Sequence, residues 1–162
     1  MAIKKPLVIN TNTGDIEQLQ TTDSLATVEL IQLKNGEVSL SAIPGMAVYM
    51  QATLDTFKLA KSTAITTSRV VGLVADNTIA ITTTGGVALD GVLALTIGQW
   101  DTVCDESIAS GLTFNTKYYL SPTNFGGITS ICPSTASQVV VELGVAISTT
   151  ALKISIKPII LL

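Results

Sequence analysis

The chain of 162 residues is long enough for one domain with its own core, alone or with an extension. Only 13% of its residues are charged, about half the usual share, which predicts that much of its surface is buried against other subunits. Its nine basic residues are scattered, its net charge is −3, and it has no apolar run of membrane-spanning length, so the sequence predicts neither nucleic-acid binding nor membrane insertion.

Residues 1–30 differ from the rest and predict an extended N-terminal arm. Leu7 to Ile9 suit a short strand, and Thr11 to Asp15 form a cluster of turn residues. No apolar core follows the first lysines, so the segment is not a signal peptide, and we expect the protein to be kept in the cytosol or released without secretion. The candidate contacts of the arm with a partner or a neighbouring subunit are its spaced apolar residues, Leu7, Val8, Ile9, Ile16, Leu19 and Leu25.

From Val28 onward the pattern is that of β-strands. Residues 28–33 and 38–43 are apolar segments, the second in strict alternation, and Asn35-Gly36 between them predicts a hairpin turn. Asp90-Gly91 is a second dipeptide of the same type, between residues 87–89 and 92–96. No stretch has convincing helical periodicity, and residues 62–68 suit one helical turn at most.

Two related units organise the β region. Residues 117–130 predict a strand, a turn and a returning strand, and residues 47–59 are a looser version of the same pattern. Each unit leads, after a similar interval, to a β-branched strand that contains a glycine, Gly72 in the first and Gly144 in the second. Chance similarity among hairpins is the alternative to a true internal repeat.

Strands therefore recur at short, regular intervals with turn residues between them. We predict an all-β fold: a compact antiparallel β-sandwich or barrel with an internal pseudo-repeat, preceded by an extended N-terminal arm. The expected division is an arm over residues 1–30 and a β domain over residues 31–162.

The sequence offers few candidate catalytic residues, because the chain has no histidine. Ser62 lies beside Lys61, but neighbouring strand residues point to opposite faces, so they do not suit a catalytic pair. Asp101, Asp105 and Glu106 offer carboxylates for Ca²⁺, although a solvated acidic loop is the more common arrangement.

The aromatic and cysteine residues also favour structural roles. Four aromatic residues could line a sugar site, but their place in alternating strands favours packing; they are Tyr49, Trp100, Tyr118 and Tyr119. Cys104 and Cys132 are expected to be free thiols in a reducing compartment, with a disulfide as the alternative. We therefore predict no enzymatic activity, no catalytic residue, no cofactor and no metal site, and a small hydrolase is the weakest hypothesis.

Several motifs resemble those of tailed-bacteriophage virion proteins. The arm, with Gly14-Asp-Ile-Glu-Gln-Leu-Gln20, resembles an N-terminal segment of such proteins. The β region is similar to the module of phage head decoration and head-fibre proteins, and related modules occur in tail fibres. The motifs that carry this resemblance are Val70-Val-Gly-Leu-Val-Ala75, Gly98-Gln-Trp-Asp-Thr-Val103, Tyr118-Tyr-Leu-Ser-Pro122 and Gly144-Val-Ala-Ile-Ser-Thr-Thr150.

The resemblance implies a structural protein on the virion surface, assembled in the host cytoplasm. It implies a homotrimer that binds the major capsid protein and stabilises the capsid, with the arm as the attachment region. The alternative is a tail-fibre or baseplate-associated adhesin that binds host surface glycans through the aromatics and the acidic loop.

Overall fold

The computed structural model describes residues 7–9, 16–18, 28–52, 55–75, 77–106 and 109–162. Within them the chain is mostly β-strand with one short helix, α1 (Ile97–Val103). The strands are β1 (Leu7–Ile9), β2 (Ile16–Gln18), β3 (Val28–Asn35), β4 (Ala47–Met50), β5 (Thr56–Leu59), β6 (Val70–Val74), β7 (Thr84–Ala94), β8 (Lys117–Leu120), β9 (Ile128–Thr129), β10 (Val139–Val140), β11 (Glu142–Ala146), β12 (Ala151–Ile154) and β13 (Ile160–Leu161).

Five strands close into a barrel in the order β3-β5-β4-β6-β7, because β3 also pairs with β7. The predicted all-β fold with a barrel and an internal repeat is confirmed. The barrel is mixed and not purely antiparallel: β3 and β5 run parallel where Lys34 meets Thr56 and Asn35 meets Phe57. A ring with an odd number of strands cannot alternate direction throughout, so closure of five strands requires one parallel neighbour pair.

The second unit extends the same sheet from β7 through β12, β11 and β8 to β9. The first unit has the order β5-β4-β6-β7 and the second has the mirrored order β12-β11-β8-β9, so the two units meet at the pair formed by β7 and β12. In both units the glycine strand, β6 or β11, pairs with the first hairpin strand and not with the second.

The glycine strands carry the same distortion in both units. Opposite β4 the register shifts at Gly72, and opposite β8 it shifts at Gly144, which leaves Val71 and Leu143 as the extra residues of two β-bulges. A Cβ atom on Gly72 would collide with the carbonyl oxygen of Ala88, and one on Gly144 with that of Lys153. Both glycines are therefore required by close approach of the neighbouring backbone.

Helix α1 is the main difference between the units. In the second unit α1 occupies the place that β3 has in the first. The interval from α1 to Tyr119 is about the same as the interval from β3 to Tyr49. The helix starts at a capping box, in which the Thr96 hydroxyl accepts from the N–H of Gln99 and the Gln99 side chain accepts from the N–H of Thr96. The expectation of no helix was wrong, because capping and the burial of Trp100 and Val103 stabilise a helix too short to show periodicity.

Two buried clusters form the core. One fills the barrel and includes Leu33, Phe57 and Val87. The larger one lies between the units and under the second; it includes Trp100 and Tyr118. The polar atoms of both side chains have hydrogen-bond partners there. Trp100 Nε1 donates to the carbonyl of Thr150 at 2.9 Å, and Tyr118 Oη accepts from the N–H of Thr113 at 2.9 Å.

Both predicted two-residue hairpins were wrong. β3 continues through Asn35, whose buried side chain donates to the carbonyls of Leu40 and Ile79, and residues 38–43 contribute only an isolated bridge from Ala42 to Ile79. β7 runs straight through Asp90-Gly91, where the positive φ of Gly91 and a shift in register against β3 mark an irregularity and not a turn. In each case pairing with distant strands outweighs the local turn preference.

Near the N-terminus, β1 and β2 form their own two-stranded antiparallel sheet. The predicted strand over residues 7–9 is confirmed, and the arrangement is consistent with an arm. β3 begins at Val28, where the β pattern of the sequence begins. The proposed boundary between arm and domain at residues 30 and 31 stays a prediction.

Candidate functional site

The loop between β8 and β9 is held in shape by Asp105. One carboxylate oxygen accepts from Ser121 Oγ at 2.6 Å and the other from Asn124 Nδ2 at 2.8 Å. Ser121 Oγ in turn accepts from the backbone N–H groups of Thr123 and Asn124, both at 2.9 Å. The loop is therefore preformed, and its backbone is also bonded to the first unit, where Gly126 pairs with Ala47 and Ala60.

The other two acidic residues of this region also bond to the protein. Glu106 accepts from the Thr129 hydroxyl and from the N–H of Ser130, and Asp101 accepts from the N–H of Gly111 at 2.8 Å. Across the described ranges no group of three or more His, Cys, Asp or Glu side chains is placed to hold a metal ion. The carboxylates considered for Ca²⁺ instead accept hydrogen bonds from side chains and backbone N–H groups of the second unit.

The aromatic residues do not converge on a ligand site. Trp100 and Tyr118 are fully buried in the core, as the packing interpretation expects. Tyr49 and Tyr119 are half-buried at equivalent places in β4 and β8, each beside its bulge. Burial raises the pKa of both tyrosines of β8 above their usual range, so these hydroxyls stay protonated at neutral pH.

A groove of about 450 Å³ lies beside the β8–β9 loop. Its walls combine acceptors and hydroxyls with apolar groups, and the side chain of Ile131 at its edge is 69% exposed. The lining residues are Asp105, Glu106, Pro122, Thr123, Thr129, Ile131, Cys132, Pro133, Ser134, Thr135 and Gln138. This mixture suits a polar, hydroxyl-rich ligand with apolar faces better than an ion.

The two cysteines are unpaired, as expected. Cys132 is exposed in the groove, whereas Cys104 is buried where its backbone forms a bridge to Ile128. Burial and the nearby carboxylates raise the pKa of the Cys104 thiol to about 12, with Glu106 the largest contributor among the acids. Cys104 is therefore an inert packing group.

No protein-family model, curated protein or solved structure matches this chain. The proposed function therefore rests on the fold and surface of the described residues and on the sequence. In those residues no helix is long and apolar enough to cross a membrane.

The surface exposes an unusual set of large apolar side chains. Val38 is 85% exposed and Phe114 is 70% exposed, and three consecutive residues at the end of β13 and beyond it are exposed together, Ile160, Leu161 and Leu162. The remaining members of the set are Leu30, Ile31, Leu40, Met50, Ile65, Ile97, Phe125, Ile131 and Ile147. Isolated exposed apolar residues are normal, but a run of three along an edge strand indicates a surface that another molecule covers.

Four of the six predicted arm contacts lie in the two-stranded N-terminal sheet. Leu7, Val8 and Ile9 form β1 and Ile16 begins β2, so the structure brings these four residues into one small sheet. Leu19 and Leu25 lie outside the described residues. The sequence interpretation missed the exposed β13 because its apolar residues follow Pro158 and resemble a buried core strand.

Proposed function

We propose that the chain is a structural virion protein of a tailed bacteriophage that decorates the capsid by binding the major capsid protein. One combination of features carries the proposal. The β core is a closed barrel with two β-bulges, many apolar side chains are exposed, and only 13% of the residues are charged. A surface of this kind gains stability when a protein lattice covers it. The resemblance of the arm and of both glycine strands to phage head proteins supports the same role.

A protein that stabilises a capsid needs many shallow contacts with it and does not need one deep pocket. A stable protein interface buries about 800 Å² on each partner, and apolar side chains at its centre contribute most of the binding energy. Val38 in the loop after β3, Phe114 in the turn before β8, and β13 are candidates for that centre, since their side chains are exposed. A trimer would place three such surfaces on the capsid, and the three linked contacts would bind more tightly than one contact alone.

The proposed role of the arm is to attach the domain to the capsid or to a neighbouring subunit. Two paired strands alone are marginally stable in water, so β1 and β2 gain order from a further partner. Removal of residues 1–27 leaves β3 and the barrel complete, because β3 begins at Val28.

A binding assay on undecorated capsids tests the proposal. The full chain should co-sediment with capsids and raise their thermal stability, whereas the chain without residues 1–27 should bind at least tenfold more weakly, as expected when one of several linked contacts is lost. A variant with Thr21→Ala and Thr22→Ala keeps the apolar residues of the arm and serves as the control. Undiminished binding by the truncated chain would overturn the role of the arm, and no binding by the full chain would overturn the capsid function.

The second candidate function is a tail-fibre or baseplate-associated adhesin that binds host surface glycans. The groove beside the β8–β9 loop favours it, because carboxylates there can accept from sugar hydroxyls while Pro133 and Ile131 offer apolar contact to a sugar ring. Glycan-array binding that is lost in Gln138→Ala and Thr135→Ala would support this function. Binding to capsids without any glycan signal would argue against it.

A further inference from the structure

A second groove, of about 440 Å³, joins the two units on another part of the surface. It lies between the start of β6 and the segment that follows β12. Most of its lining is apolar, and two exposed cations, Arg69 and Lys157, stand at its rim. The other lining residues are Ser68, Val70, Val71, Val141, Ile156, Pro158 and Ile159.

The two rim cations are not neutralised within the part of the chain that the structure describes. Neither makes an ion pair there. Glu142 is the acidic residue next to the groove, and its carboxylate is already bound to Lys117 at 2.9 Å, while its carbonyl accepts from the N–H of Lys157. The groove therefore presents an apolar floor with two uncompensated positive charges, which suits an apolar side chain flanked by carboxylates.

The N-terminal segment of this chain has that chemistry. Residues 10–27 contain Asp15, Glu17 and Asp23 and no lysine or arginine, and Ile16 stands between the first two acids. β2 lies in this segment and pairs with β1 in a sheet of only two strands, which needs further packing to be stable.

We propose that the groove binds the acidic β2 segment of a second copy of this chain. A second copy is favoured because only 13% of the residues are charged, which predicts that much of the surface is buried against other subunits. The connection between β2 and β3, residues 19–27, spans up to about 30 Å when extended, enough to reach a neighbour. Arm-to-groove contact joins different surfaces of two copies, and such a contact forms a ring, such as the proposed trimer, when the rotation between copies closes.

Charge reversal on each side of the contact tests the proposal with the full chain. We expect the wild type to self-associate in sedimentation velocity, with an affinity that falls as salt rises. Arg69→Glu with Lys157→Glu reverses the groove, and Asp15→Lys with Glu17→Lys reverses the arm. Each double variant alone should associate at least tenfold more weakly, and an equimolar mixture of the two should regain association, because the reversed arm then meets the reversed groove.

The controls are Lys153→Glu and Asp90→Lys, which reverse exposed charges outside the groove lining and outside residues 1–30. They should associate like the wild type. A monomeric wild type, unchanged association of either double variant, or a mixture that stays dissociated would each overturn the proposal; the first outcome is the one expected if the arm binds the groove of its own chain. Capsid binding by a monomeric wild type would leave the proposed function standing, whereas self-association without capsid binding would remove only that function.

Discussion

The two bulge glycines give the sharpest test of the paired-unit architecture. Gly72→Ala places a Cβ against the carbonyl oxygen of Ala88, and Gly144→Ala places one against that of Lys153, so each substitution must push two strands apart. The colliding atoms are backbone carbonyl oxygens, which cannot move away from the new Cβ as the end of a flexible side chain could. We expect each variant to lose about 2 kcal/mol of unfolding free energy, a fall in Tm of roughly 4–8 °C for a chain of this size.

Gly98→Ala is the matched control. Gly98 lies in α1, and a Cβ there would meet no atom within 4 Å. Alanine is the better helix former, so this variant should gain about 0.5–1 kcal/mol. Thermal unfolding followed by circular dichroism measures all three variants. Equal effects of Gly98→Ala and the two strand substitutions, or a loss at only one of the bulge positions, would refute the structural equivalence of the units.

Single side chains give four further predictions. Ser62→Ala should raise the unfolding free energy by about 1 kcal/mol in urea titrations, because the buried hydroxyl of Ser62 has no hydrogen-bond partner among the described residues; Ser121→Ala, at a bonded hydroxyl, should lower it. Thr96→Ala removes the capping box and should cost about 1 kcal/mol, with a loss of helical signal. In thiol labelling at neutral pH, Cys132 should react rapidly and Cys104 only after unfolding. Because the folded pKa of Cys104 is about 12 and its usual value is 9.0, the folded state retains that proton longer, so stability should fall as pH rises from 9.0 towards 12, and less steeply in Cys104→Ala.

Much of the strand pattern could be predicted from the sequence, because it depends on local alternation and turn chemistry. The hairpin of β8 and β9, its counterpart in β4 and β5, and both glycine strands lie where the repeat predicted them. The repeat itself was visible because the same bulge demands a glycine at Gly72 and Gly144.

Long-range pairing could not be predicted in the same way. Asn35-Gly36 has the chemistry of a hairpin turn, but Asn35 ends a strand that closes the barrel, since its side chain satisfies carbonyls from two other segments. The Thr96-x-x-Gln99 capping box was a readable helix signal that strand periodicity obscured. The groove with Arg69 and Lys157 depends on two segments far apart in the chain, so no local pattern indicates it.

The proposed capsid role is tested most directly by the position of this protein on the virus particle. Immunogold labelling of phage virions with antibodies raised against residues 28–162 should place gold over the heads, at many sites per particle. Label confined to tails or baseplates would contradict the capsid function and favour the adhesin. Particles without label, in a preparation whose major capsid protein is labelled as a control, would contradict a place on the virion surface altogether.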